Sequence, residues 1–275
     1  MTVSPPPRPD VGQLSGPPLP ELPERAGPFP PPATWRWWEA IAVYFGGMVI
    51  GSVVVSPLLN LGDIQGRDGG ATGLGIAISL LSEVVVLGVL VVWLQLRHPR
   101  WREAVRFPPR GAALREAGAG VAAGLLLYPV VTIGVGSIVV YVFDLVSKST
   151  VEAPNQLTSG LSSEGVALAV TYGLIVAPVV EEFFFRGILF RSIRDRRGFW
   201  PAAFGSAVVF GIVHWVPAPT RDAFILPIVM TFTGLGLAYV YERRGNLVAN
   251  IATHVTFNVI GLVSVIGLSS ILRLG

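Results

Sequence analysis

Apolar residues in this chain come as unbroken runs instead of recurring singly at helical or strand spacing. Seven stretches, at about residues 37–60, 72–96, 117–143, 165–190, 200–216, 223–241 and 247–271, are almost wholly apolar and are separated by short polar gaps. Each is near the roughly 20 residues an α-helix needs to cross bilayer hydrocarbon. Backbone with no water partner must satisfy its own hydrogen bonds, and the period-2 alternation of a barrel strand is absent, so the runs are predicted as helices. The predicted fold is an all-α integral membrane protein, a polytopic bundle of about seven transmembrane helices. Six or eight remain open if a short segment is re-entrant. Glycine (32 residues) and alanine recur through the runs, which suits close helix packing in lipid.

The polar positions organise the rest. Residues 1–32 hold twelve of the 23 prolines and no long apolar stretch. Residues 1–35 are therefore read as a disordered, proline-rich cytoplasmic tail, and 36–275 as the membrane domain. The tail lacks the basic start and cleavage site of a signal peptide and is expected to stay on the mature protein. Arg97, Arg100, Arg102, Arg106, Arg110, Arg115, Arg191, Arg194, Arg196, Arg197, Arg243 and Arg244 fill one set of loops. The alternate loops carry only Arg67, Lys148 and Arg221. That asymmetry predicts a cytoplasmic N-terminus and an outside C-terminus. Trp35, Trp37 and Trp38 suit an interfacial aromatic belt.

Composition agrees. The chain is 52% hydrophobic and 13% charged with mean hydropathy +0.63, against about 25% charged for a soluble domain. The pI near 9.6 follows from the loop arginines, so no nucleic-acid partner is inferred; the partners are the bilayer and a membrane-associated protein or peptide. The absence of cysteine excludes disulfides, thiolate nucleophiles and cysteine-held metals.

Against this apolar background, Glu181, Glu182 and Arg186 stand out in the fourth run. A charge in the middle of a membrane helix costs about 2.5–3.5 kcal/mol even on lenient scales, so such residues mark function by default. On a helical wheel Glu182 and Arg186 are one turn and about 40° apart, while Glu181 lies about 140° from Arg186. Arg186 can therefore pair with Glu182, leaving Glu181 as a candidate general base. Pro178 could bend this helix and free a carbonyl. His214 lies in the fifth run. Asn250, His254 and Asn258 fall at i, i+4 and i+8, on one face of the seventh. Glu83 is a further acid in the second run, open as a functional acid, a protonated packing residue or a partner of Arg186. His98, in the arginine-rich loop, is read as solvated. No His-Glu-x-x-His or Gly-x-Ser-x-Gly motif occurs.

Glu181-Glu182-x-x-x-Arg186, Phe210-x-x-x-His214 and His254-x-x-x-Asn258, in that order, resemble the CPBP family of intramembrane proteases, also called the CAAX protease and bacteriocin-processing (Abi) family. The resemblance covers about residues 165–271. It implies an intramembrane endopeptidase that hydrolyses a peptide bond of a membrane-associated protein or peptide. Glu181 would activate water with help from His214, and His254 and Asn258 would stabilise the oxyanion. Glu182 and Arg186 would hold the fourth helix. The family has been described both as metal-free glutamate proteases and as zinc metalloproteases. No cofactor is assigned, and Glu181, His214 and His254 are the candidate zinc ligands. Soft features of composition point to a bacterial plasma membrane. Two alternatives stand beside the protease: a non-enzymatic immunity or partner-binding protein, and a proton-coupled transporter using Glu181, His214 and Glu83 as a relay.

Depth poses a geometric condition. Counted from the predicted cytoplasmic ends, Glu181 and His254 lie about 12–15 Å deep and His214 about 20 Å. The fifth helix must start below the membrane surface, or tilt, for the three to meet.

Overall fold

The computed structural model describes residues 31–60, 72–147, 163–215 and 221–272. Every regular element among them is helical, and the seven long ones are α1 (Trp37–Val55), α2 (Gly73–Arg97), α3 (Ala113–Phe143), α4 (Ala167–Arg197), α5 (Phe199–Val213), α6 (Ile225–Arg244) and α7 (Leu247–Leu272). Six are long and apolar enough to cross a membrane, and the fifteen-residue α5 is the shorter one. Leu96, Leu126 and Val53 are 77%, 71% and 66% exposed. So much outward-facing aliphatic surface suits lipid contact and not water. The chain is an all-α, multi-pass membrane protein.

Small residues set the packing. α1 lies along α2, α5 along α6, and α3 along α7. In the last pair a methyl group on Gly120 would collide with the Ala249 carbonyl, and one on Gly124 would collide with Thr256. Thr253 Oγ1 donates to the Gly120 carbonyl at 3.1 Å across the same seam. This is the small-xxx-small contact by which membrane helices approach closely. Gly120→Ala is expected to destabilise by about 1–3 kcal/mol through overpacking, read as a lower Tm in detergent. Gly118→Ala, whose added methyl meets nothing within 4 Å, should leave Tm unchanged; equal effects would rule out this account of the seam.

α4 is not a uniform helix. Wider π turns, Tyr172–Val176 and Phe183–Phe190, flank the regular turns Ala177–Glu182. Proline lacks the N–H that a regular ladder needs, and the widened turn just before Pro178 absorbs that gap without a break. α3 widens in the same way at Pro129–Gly136.

α4 also outlasts its apolar run, continuing from 190 to Arg197. Its arginines find partners there: Arg191 with Asp195 at 3.2 Å and Arg194 with Glu242 at 2.9 Å. Gly198, at φ +82°, then turns the chain directly into α5, a conformation glycine adopts without steric cost. This extension meets the depth condition. Glu181 stands about 24 Å from the end of α4 and His214 about 22 Å from the start of α5, at 1.5 Å per residue. The two arms of the α4–α5 hairpin therefore bring them level.

Residues 1–30 of the expected tail lie outside the described residues, as does the loop lysine Lys148. Residues 31–35 are pinned against the end of α4. Arg191 Nη2 donates to the Pro31 carbonyl at 2.5 Å, Asp195 accepts from the Ala33 N–H at 2.7 Å, and Trp35 Nε1 donates to the Ile188 carbonyl at 3.0 Å. Trp35 is fully buried, whereas Trp37 and Trp38 are exposed. Only the latter two can serve an interfacial belt. His98 is likewise no solvated loop residue. It caps α2, meets Thr34 Oγ1 at 2.9 Å and packs edge-on against Trp35 and Trp93. Burial there holds its imidazole pKa below the ordinary value.

Candidate active site

The buried acid comes first. Glu182, fully buried on α4, accepts from Arg186 Nη1 at 2.9 Å, from His254 Nδ1 at 2.9 Å, and from Asn250 Nδ2. Arg186 Nη2 donates to the Gly234 carbonyl of α6 at 3.1 Å. Its guanidinium lies 4.8 Å from the Phe210 ring centroid of α5. The Glu182–Arg186 pair therefore ties α4 to α5, α6 and α7 at one level. Arg186 has no contact with Glu83, which removes that pairing from the options left by the sequence.

Glu181 is the accessible member of the acid pair, its side chain 18% exposed against 0% for Glu182. Its Oε1 lies 3.9 Å from His214 Nε2 and its Oε2 lies 3.7 Å from His254 Nε2. Both separations exceed a hydrogen bond and suit a shared polar group between the residues. The rings are oriented from behind. His214 Nδ1 meets the Phe210 carbonyl at 2.7 Å, and His254 Nδ1 meets Glu182 Oε1. Those acceptors assign the proton of each neutral ring to Nδ1, so each Nε2 presents a lone pair towards Glu181. Two imidazole lone pairs and a carboxylate converge on a place that calls for a donor. Water is one.

The structure thus brings Glu181, His214 and His254 together. Asn258 sits one turn farther along α7, where its Nδ2 donates to the Gly173 carbonyl at 2.8 Å. One of its two amide hydrogens is committed to the π turn of α4.

The same distances bear on how a metal would fit. Nitrogen and oxygen ligands around tetrahedral zinc would lie about 3.3 Å apart, given bonds of about 2.0–2.2 Å. The observed separations are wider, and the two rings face different oxygens of Glu181. In this arrangement Glu181, His214 and His254 stand farther apart than zinc ligands do.

Some participants had little sequence signal. Asn250 stood on the correct face of α7, one turn from a histidine it could orient, but nothing in the sequence tied it to Glu182. The carbonyls of Phe210, Gly173 and Gly234 carry no signal at all, because helix crossings select them. Glu83 lies within electrostatic range of Glu181, Tyr44 and Tyr172. Its Oε2 is buried without a hydrogen-bond partner.

Comparison with known proteins locates the same region. Residues 163–260 match the family model described as "Type II CAAX prenyl endopeptidase Rce1-like". A Bacillus subtilis (strain 168) protein named "Putative membrane peptidase YdiL" is 30% identical over 95 residues, 34% of this chain and 36% of the relative. The chain thus spans about a third of the length of the curated relative it matches. No solved structure matches.

Proposed function

We propose that this chain, whose C-terminal helices belong to the CPBP family of intramembrane proteases, hydrolyses a peptide bond of a membrane-associated protein or peptide. The observation that carries the reading is the convergence of His214 Nε2 and His254 Nε2 on the two oxygens of Glu181, in the one intramembrane acid pair of which only Glu181 is accessible. A water held there can give a proton to Glu181 while hydrogen-bonded to His214 Nε2, and its oxygen attacks the scissile carbonyl. The resulting oxyanion falls to His254 and to the remaining amide hydrogen of Asn258. His254 Nδ1 keeps its proton on Glu182, so Nε2 donates to the oxyanion only after the proton that Glu181 took from the water has passed to it. On collapse of the intermediate this same proton goes to the leaving amine. Glu182 and Arg186 hold α4 and α7 in register. The N-terminus faces the cytoplasm of a bacterial plasma membrane in this reading.

The test uses the purified chain in proteoliposomes with a library of membrane peptides, products being read by mass spectrometry. His214→Ala is expected to lower kcat by about 10²–10⁴-fold. Dialysis against a chelator should leave cleavage unchanged. Loss of cleavage restored by added zinc would overturn the metal-free form of the mechanism. No cleavage, but proton-coupled flux that depends on Glu181, would favour a transporter.

A further inference from the structure

Glu182 needs more than Arg186 to orient His254. The torsion that turns a glutamate carboxylate is broad and roughly two-fold, so a carboxylate held at one oxygen can swing its other oxygen into play. Here Oε1 is shared by Arg186 Nη1 and His254 Nδ1. Oε2 is taken by Asn250 Nδ2. Asn250 is fully buried and stands one turn before His254 on α7, so both side chains address the same carboxylate across the α4–α7 crossing. Its Oδ1 is buried with no hydrogen-bond partner. A buried amide with one idle oxygen is a poor choice for stability alone, since a buried unsatisfied acceptor carries a desolvation cost. Its remaining use is the bond to Glu182.

We infer that Asn250 is a positioning residue. By pinning Oε2 of Glu182 it holds Oε1 on His254 Nδ1, fixes the Nδ1–H tautomer and keeps Nε2 aimed at Glu181. The chain Asn250–Glu182–His254 then supports one side of the water site, as the Phe210 carbonyl supports His214 on the other. The kinetic part rests on the peptidase reading. The tautomer part does not.

The experiment is Asn250→Ala in the full-length protein, reconstituted and labelled with ¹⁵N in the histidine rings. There are only three histidines, and His98→Gln simplifies assignment. Wild-type His254 is expected to show the Nδ1–H tautomer. In Asn250→Ala the signals should move towards mixed tautomers, with kcat reduced about 10–100-fold, the usual cost of losing an outer-shell orienting group, and KM within about twofold. Removal of the idle Oδ1 offsets part of the lost bond, so the variant should fold; Asn250→Ser provides a second small replacement if it does not. An unchanged His254 tautomer in the folded variants overturns the proposal, as does an unchanged kcat in an active enzyme. A tautomer shift in a chain that cleaves no peptide leaves the positioning role standing and removes the peptidase reading instead.

Discussion

Glu181→Gln is expected to lower peptide cleavage by about 10³-fold while changing Tm by no more than a few degrees. The magnitude follows from removing a positioned general base, a contribution typically of 10²–10⁴-fold. The stability expectation follows from the contacts. Glu181 approaches His214 and His254 only at 3.9 and 3.7 Å, longer than hydrogen bonds, so an amide of the same shape gives up little. Glu181→Asp keeps the carboxylate but withdraws it by one carbon. A displacement of about 1 Å can cost of order 10² in rate, so this variant should be slow but measurable. Kinetics of the three proteins on one cleavable membrane peptide would order them Glu, then Asp, then Gln. Equal rates for Glu181 and Glu181→Gln would remove the acid from the mechanism.

The other acid of the pair behaves in the opposite way. Glu182→Ala leaves the Arg186 guanidinium, 1% exposed, facing the Gly234 carbonyl and two aromatic rings with no counter-charge on it. Breaking a buried ion pair from one side costs about 3–5 kcal/mol, a large share of the roughly 5–15 kcal/mol that holds a typical protein folded. Expression and resistance to denaturing detergent should therefore collapse in Glu182→Ala. The double replacement Glu182→Leu with Arg186→Met removes both charges and should lose less stability than the single one. It should still cleave nothing, because His254 Nδ1 has lost its acceptor. A Glu182→Ala protein as stable as the unaltered chain would show that the pair is not what ties α4 to its neighbours.

The contrast between adjacent glutamates was readable from spacing, because one helical turn suffices to place Arg186 on Glu182. Helix number and class were readable too, since 20-residue apolar runs leave a backbone few choices. The end of α4 was not. Its arginine-rich continuation reads as a loop, yet Arg191 and Arg194 reach Asp195 and Glu242, and these ion pairs carry the helix seven residues past its apolar run. That continuation makes His214 level with Glu181. Trp35 read as an interface residue because tryptophans cluster beside it. Its indole instead seeks the Ile188 carbonyl, a partner 153 positions away. The asparagines of α7 shared a face as expected, but spacing within one helix cannot say which neighbour each will meet. Asn250 met the acid and Asn258 met a carbonyl.

The most direct measurement is peptide hydrolysis in H₂¹⁸O by the purified, reconstituted chain, with the Glu181→Gln protein run beside it. Attack by a Glu181-activated water predicts new peptide C-termini carrying one ¹⁸O atom, formed by the unaltered protein and absent from the variant. Failure to form new C-termini with any membrane peptide, or formation of the same labelled termini at the same rate by Glu181→Gln, would contradict it.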